Sequence, residues 1–163
     1  LGIVAAQSGI PTLLVDADLR NPSLSQRFGL GKNAGLSDLL KEDAIPPQKL
    51  ASYLQTTFVP HLRLLGAGNS TSEAATLLLS PKLTEVVESI RQYLKQTETT
   101  PGIILFHSPA VLEGADTSLL AALADQTFLT IIKDHTTRAQ AKQAQEQLQR
   151  AHAKLAGIIL LNA

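Results

Sequence analysis

The chain has 163 residues, 44% of them hydrophobic and 17% charged, which is one domain's length with ample apolar content for a core. Fourteen basic residues balance fourteen acidic ones, so no electrostatic footprint points to nucleic acid or to an anionic membrane surface. There is no cysteine, which excludes disulfides and thiolate metal sites, and no apolar run approaches the roughly 18 residues that span a bilayer. In chain order, Leu1 to Gly9 reads as the back half of a helix with Gly9 closing it. A helix that opens at residue 1 without a capping residue leads us to expect an N-terminally truncated chain. Thr12 to Asp16 is an apolar run of strand length, and a polar helical segment precedes Gly29. Residues 41–60 hold Pro46, Pro47 and Pro60 and little periodicity, with a short helix expected over Gln48 to Leu54. His61 to Leu65 reads as a second strand. Ser80 and Pro81 read as the cap and first position of a helix whose apolar stripe is Leu83, Val86, Val87, Ile90 and Leu94. Gly102 to His107, Gln126 to Lys133 and Gly157 to Asn162 complete five expected strands. Between the last two, Thr137 and Gln140 fit a capping box, with Ala141, Ala144, Leu148, Ala151 and Leu155 on one helical face. Near-continuous apolar strands fit a sheet covered on both faces, and their alternation with helices argues α/β with a mostly parallel sheet. Without a repeat, a low-complexity tract or a linker, residues 1–163 read as one domain.

The most informative stretch is Leu13-Leu14-Val15-Asp16-Ala17-Asp18-Leu19-Arg20. Apolar residues lead straight into Asp-x-Asp-x-Arg, which sets two carboxylates and a guanidinium at the mouth of a buried strand. In an open parallel sheet, ligands bind in the crevice beyond the carboxyl ends of the strands. Two carboxylates there suit Mg²⁺, which takes one or two carboxylates together with substrate phosphates. A solvated acidic turn, with Arg20 pairing a neighbour, accounts for the octet alone equally well.

The order of residues that follows resembles a known family. Asn21-Pro22 succeeds Arg20, then come Ser23 to Gly29 and Gly35-Leu36-Ser37-Asp38-Leu39-Leu40. Leu64-Leu65-Gly66-Ala67-Gly68, Leu77-Leu78-Leu79-Ser80-Pro81-Lys82-Leu83, Pro109-Ala110-Val111-Leu112 with Asp116, and Gly157 to Asn162 continue the pattern. In this order they resemble the bacterial tyrosine kinases of capsule and exopolysaccharide biosynthesis, P-loop proteins related to the partition and septum-positioning ATPases. Val15 to Pro22 matches the family's second Walker motif, called A-prime, and the Arg sets the kinase branch apart. The resemblance implies a P-loop NTPase-like three-layer α/β sandwich. It implies ATP and Mg²⁺ as ligands, with Asp16 and Asp18 as catalytic and metal-proximal carboxylates and Arg20 and Asn162 on the nucleotide. It further implies a cytoplasmic place at the inner face of the cell membrane. The implied partner is a transmembrane polysaccharide chain-length regulator, or further copies of the chain, and not nucleic acid. A positioning ATPase of the related branch and a non-catalytic scaffold are the alternatives.

Two departures bear on activity. The phosphate cradle Gly-x-x-x-x-Gly-Lys-Ser/Thr is absent, and the family's architecture places it just before residue 1. Gly29-Leu30-Gly31-Lys32 follows a helical segment rather than a strand and lacks the remaining residues of the motif. Second, Phe106-His107-Ser108-Pro109-Ala110 puts His107 where the family carries its Walker B Asp, and imidazole is a poor substitute because Mg²⁺ prefers oxygen. Asp134 and His135 read as a polar loop opening the last helix, and His61 and His152 as surface residues. Tyr53 and Tyr93 are the sole tyrosines, with no Tyr-rich tail, and Tyr93 reads as helix packing. We expect Asp16, Asp18, His107 and Asn162 to line one crevice, and the chain by itself to bind ATP weakly or not at all.

Overall fold

The computed structural model describes residues 1–30, 33–69 and 73–162. Two compact units divide the chain, Leu1–Pro109 and Ala110–Ala163. In the first, α1 (Gly2–Gln7) leads into β1 (Thr12–Asp16), followed by α2 (Ser23–Arg27), α3 (Leu36–Leu39) and α4 (Pro47–Tyr53). Next come β2 (Leu54–Thr56), β3 (Leu62–Leu65), α5 (Ala74–Leu78), α6 (Lys82–Thr97) and β4 (Ile103–His107). The strands lie in the order β2-β3-β1-β4. β1 pairs in parallel with β3 and with β4, and its register sets Asp16 opposite His107. β2 adds an antiparallel edge.

Burial explains the arrangement. Leu13, Val15, Leu64 and Leu65 are sealed from solvent, and the α6 stripe of Leu83, Val86, Val87, Ile90 and Leu94 is buried as its spacing predicts. Each such side chain contributes roughly 1.5–3 kcal/mol through its removal from water. Tyr93 lies on the same face, buried, with its hydroxyl accepting from the Arg63 guanidinium. Gly9, at φ +82°, follows the end of α1 as expected.

In the second unit a single 3₁₀ turn (Val111–Glu113) precedes α7 (Asp116–Leu123), β5 (Thr127–Ile132), α8 (Arg138–Arg150) and β6 (Leu155–Leu161). β5 and β6 pair in parallel as a sheet of their own. Val111, Ala121, Leu129, Ala144 and Leu148 form the unit's core, with Ile131, Ala153 and Leu155 packed against it. Thr137 and Gln140 form the capping box read from sequence. The Gln147 amide ties the unit together, donating to the carbonyls of Val111 (2.7 Å) and Gly114 (3.2 Å).

All five expected strands form, and the class is α/β with parallel pairing throughout except at β2. Three local expectations need correction. Ser80 does not cap α6: its hydroxyl donates to the Leu77 carbonyl at 2.7 Å, finishing α5, and α6 begins at Lys82. The last helix stops at Arg150, because the chain turns through His152 at φ +58° and Leu155 already belongs to β6. The expected helix over Gln48 to Leu54 runs Pro47–Tyr53, and Leu54 starts β2, a strand of three residues that is too short to show alternation.

Candidate functional site at the C-terminal end of the first strand

β1 carries its apolar run between two neighbouring strands and ends at Asp16, which is fully buried. A buried carboxylate must be paired or hydrogen-bonded, and this one has four donors. Oδ2 accepts the Ser25 amide at 2.8 Å and the Ser25 hydroxyl at 2.7 Å. Oδ1 accepts the Asp18 amide at 3.3 Å and meets the His107 ring Nδ1 at 3.2 Å. Ala17, the next residue, donates its amide to the His107 carbonyl at 2.7 Å, so the end of β1 is fastened to the end of β4 by backbone and side chain together.

The charges are interdependent. Burial pushes the Asp16 carboxyl up, but the His107 and Ser25 donors overcome it and hold the group below the usual carboxylate range. The bond to Asp16 raises the His107 imidazole against the effect of its own burial. Asp18 is half-buried, and its Oδ1 accepts the Asn21 amide at 2.9 Å, an Asx-type closure of the turn before α2. Arg20 is exposed on that turn.

The structure therefore brings Asp16, Asp18 and His107 to one strand end. Asn162 belongs to the second unit, where it is exposed just past β6. Ser25, buried against Asp16, was not among the residues singled out from sequence. A serine in a polar helical turn carries no distinguishing pattern, and only the closure of α2 onto β1 reveals it. Asp134 and His135 lie in an exposed turn, as expected, and His61 and His152 are exposed. Gly31 and Lys32 of the Gly29 to Lys32 segment lie outside the described residues.

Neither tyrosine is poised as an acceptor. The Tyr53 hydroxyl donates to Glu42 Oε1 at 2.7 Å, and this bond pushes the phenol up to about 12. Two cavities among the described residues lie elsewhere. One, of about 610 Å³, is lined by Asp43, Ile45, Pro46, Glu85, Glu88 and neighbours. The other, of about 310 Å³, is lined by the beginnings of β1 and β3 together with Arg63 and Tyr93.

Among the described residues, no cluster of three or more His, Asp or Glu side chains could hold a metal. Asp16 Oδ1 and the Asp18 carboxylate thus fit Mg²⁺ only as part of a shell completed by phosphate oxygens and water, which is the usual habit of that ion. His107 contacts the same Oδ1.

The mostly parallel sheet, with β1 ending in Asp-x-Asp-x-Arg, and the solved structures it resembles give a mixed α/β domain of the P-loop NTPase-like class. This chain is a homologue of bacterial tyrosine-protein kinases. The tyrosine-protein kinase YwqD of Bacillus subtilis is 31% identical over 161 residues, covering 98% of this chain and 63% of YwqD. EpsB of Ralstonia nicotianae, named as a candidate tyrosine-protein kinase, is 31% identical over 160 residues, covering 98% of this chain and 20% of EpsB. The chain thus spans between a fifth and two thirds of these relatives. The kinase domain of VpsO superposes with a TM-score of 0.85 at 27% identity, over 99% of this chain and 74% of that domain. A plasmid partition protein of Borrelia burgdorferi shares the fold further out, with a TM-score of 0.68 at 15% identity, over 97% of this chain and 68% of that protein. No profile of a known protein family matches the chain. No helix among the described residues is long and apolar enough to cross a membrane.

Proposed function

We propose that residues 1–163 are part of the nucleotide-binding domain of an exopolysaccharide or capsule tyrosine-kinase-like protein. In this reading it works at the inner face of the cell membrane, beside a transmembrane chain-length regulator. The observation that carries the reading is the Asp16–Asp18 pair at the mouth of β1, with Arg20 on the following turn, in a chain whose homologues are tyrosine-protein kinases. Asp16 is buried, with Oδ1 held by the Asp18 amide and His107, and the half-buried Asp18 carboxylate follows it at the end of β1. Bound Mg²⁺ would neutralise phosphate charge there. Asp16, held ionised by its donors, is suited to accept a hydrogen bond from an acceptor hydroxyl and orient it. Arg20 and Asn162 are the proposed nucleotide contacts.

The His107–Asp16 bond favours a second reading, a scaffold without turnover. An imidazole takes up the oxygen that a metal-bound water would use. One experiment separates the two. Calorimetric titration of the chain with Mg-ATP is expected to give no micromolar binding. Most phosphate affinity in this fold comes from backbone N–H groups of a glycine-rich loop and its Lys. A contact from Asn162 adds about 1 kcal/mol against the roughly 8 kcal/mol behind a micromolar complex. Fused behind a Gly-x-x-x-x-Gly-Lys-Ser/Thr phosphate loop, the chain is expected to bind Mg-ATP and transfer phosphate to tyrosine, with Asp16→Asn abolishing transfer. A fusion that binds without transferring supports the scaffold. Micromolar binding by the unfused chain would mean that the phosphate site has been misplaced.

A further inference from the structure

We propose that Ser25 is a positioning residue for Asp16. It anchors Oδ2, leaves Oδ1 as the oxygen offered to a cation or hydroxyl, and couples that orientation to the turn after β3. The proposal takes Asp16 as the functional carboxylate from the reading above.

The two Asp16 oxygens are held unequally. Oδ2 receives two short bonds from one residue, 2.8 Å from the Ser25 amide and 2.7 Å from its hydroxyl. Oδ1 has only the longer contacts, 3.3 Å to the Asp18 amide and 3.2 Å to His107. Charge-assisted O–H···O⁻ bonds near 2.7 Å are the strong ones. The carboxylate therefore pivots, if at all, about a fixed Oδ2, and Oδ1 is the oxygen able to exchange partners.

The Ser25 hydroxyl is itself fixed. Its oxygen accepts the Ala67 amide at 2.9 Å. A hydroxyl has one proton and two acceptor lone pairs. With a donor already facing the oxygen, the proton is directed to Asp16. Both Asp16 and Ser25 are buried, so water does not compete for these bonds.

Ala67 cannot move alone. It lies in the turn after β3, between Gly66 and Gly68, and α3 grips that turn. The Leu36 amide donates to the Gly66 carbonyl at 2.7 Å and the Ser37 amide to the Ala67 carbonyl at 2.9 Å. A Cβ on Gly35 would lie 2.2 Å from the Gly66 oxygen, so only glycine permits this approach. Gly68 takes φ +84°, a conformation that side chains disfavour. The chain of contacts thus runs from α3 through the turn and Ser25 to the oxygen at the end of β1.

The test is NMR of the ¹³C,¹⁵N-labelled chain at one fixed pH, without nucleotide. Ser25→Ala is expected to shift the Asp16 carboxyl carbon and the His107 ring nitrogens and to move the Ala67 amide proton upfield. Ser25→Thr, which keeps the hydroxyl, is expected to restore all three signals. A folded Ser25→Ala whose Asp16 and His107 signals match the parent overturns the proposal. A folded Ser25→Thr that behaves like Ser25→Ala overturns it too. If Ser25→Ala fails to fold, Ser25→Cys is read instead, since its thiol is a weaker donor in the same place. Shifted Asp16 and His107 signals there support the proposal, and unchanged ones overturn it. Because nucleotide is absent, a failed Mg-ATP fusion leaves this result standing, and unchanged signals would leave the nucleotide reading intact.

Discussion

β1 and β6 have the same signature in sequence, an apolar run closed by a polar residue, and they come to opposite fates. β1 has a parallel neighbour on each side, and four of its five residues are buried. β6 has one neighbour, and five of its seven residues are exposed, Leu160 at 60%. Their closing residues differ in the same way. Asp16 has four donors and no solvent, while Asn162 is exposed. An apolar run therefore marks a strand, but how much it stabilises depends on how many neighbours flank it. The difference also ranks the proposed site residues, because a side chain fixed by buried bonds is preorganised for chemistry and an exposed one is not.

The largest expected effect would break this comparison directly. Leu13→Ala removes a fully buried side chain of β1 and is expected to cost about 3 kcal/mol, whereas Leu160→Ala on β6 should cost less than about 1 kcal/mol. Urea unfolding of both variants measures the difference. Equal losses would show that β6 is buried in solution.

The polar pair is expected to follow. Asp16→Ala strands the Ser25 and Asp18 donors in a buried place and should cost roughly 2–3 kcal/mol, against about 0.5 kcal/mol or less for Asn162→Ala. The same unfolding experiment checks it, and a mild Asp16→Ala would mean that water reaches those donors.

His107→Asp sharpens the site at the expense of the fold. It turns an attractive contact into two carboxylates facing each other, so stability at neutral pH should fall by roughly 1 kcal/mol. In the phosphate-loop fusion the same change is expected to raise Mg²⁺-dependent ATP turnover, if the proposed Walker B role of position 107 holds, because a carboxylate is restored there. Equal turnover with His107 or Asp would show that this position does not limit the domain.

The smallest effect is in pH dependence. His107 is raised in the folded chain, so its contribution is complete below about pH 6.5 and fades as pH rises through the folded value. Asp16 is lowered, so its contribution is complete above about pH 4 and fades as pH falls through its folded value. The pair should stabilise most between those limits. Denaturant midpoints across pH should decline on the alkaline side for the parent and flatten there for His107→Gln. Parallel curves would mean that the imidazole does not carry the charge assigned to it.

By itself, the order of residues determined the class of this protein. Apolar runs of strand length separated by helical stripes dictate α/β, because such runs are stable only when covered. Asp-x-Asp-x-Arg after Thr12 to Val15 placed two carboxylates at a strand mouth, since the end of a parallel strand is where a chain emerges from the sheet. Tertiary structure alone decided what those residues do to one another. The register of β1 against β4 set His107 on Asp16, although 91 residues separate them. The folding of α2 onto β1 brought Ser25 beneath the carboxylate, and the turn after β3 brought Ala67 to Ser25 across 42 residues. Local pattern cannot encode such meetings, because each depends on which strands become neighbours. That choice belongs to the packing of each sheet, which gave β1 two neighbours and β6 one.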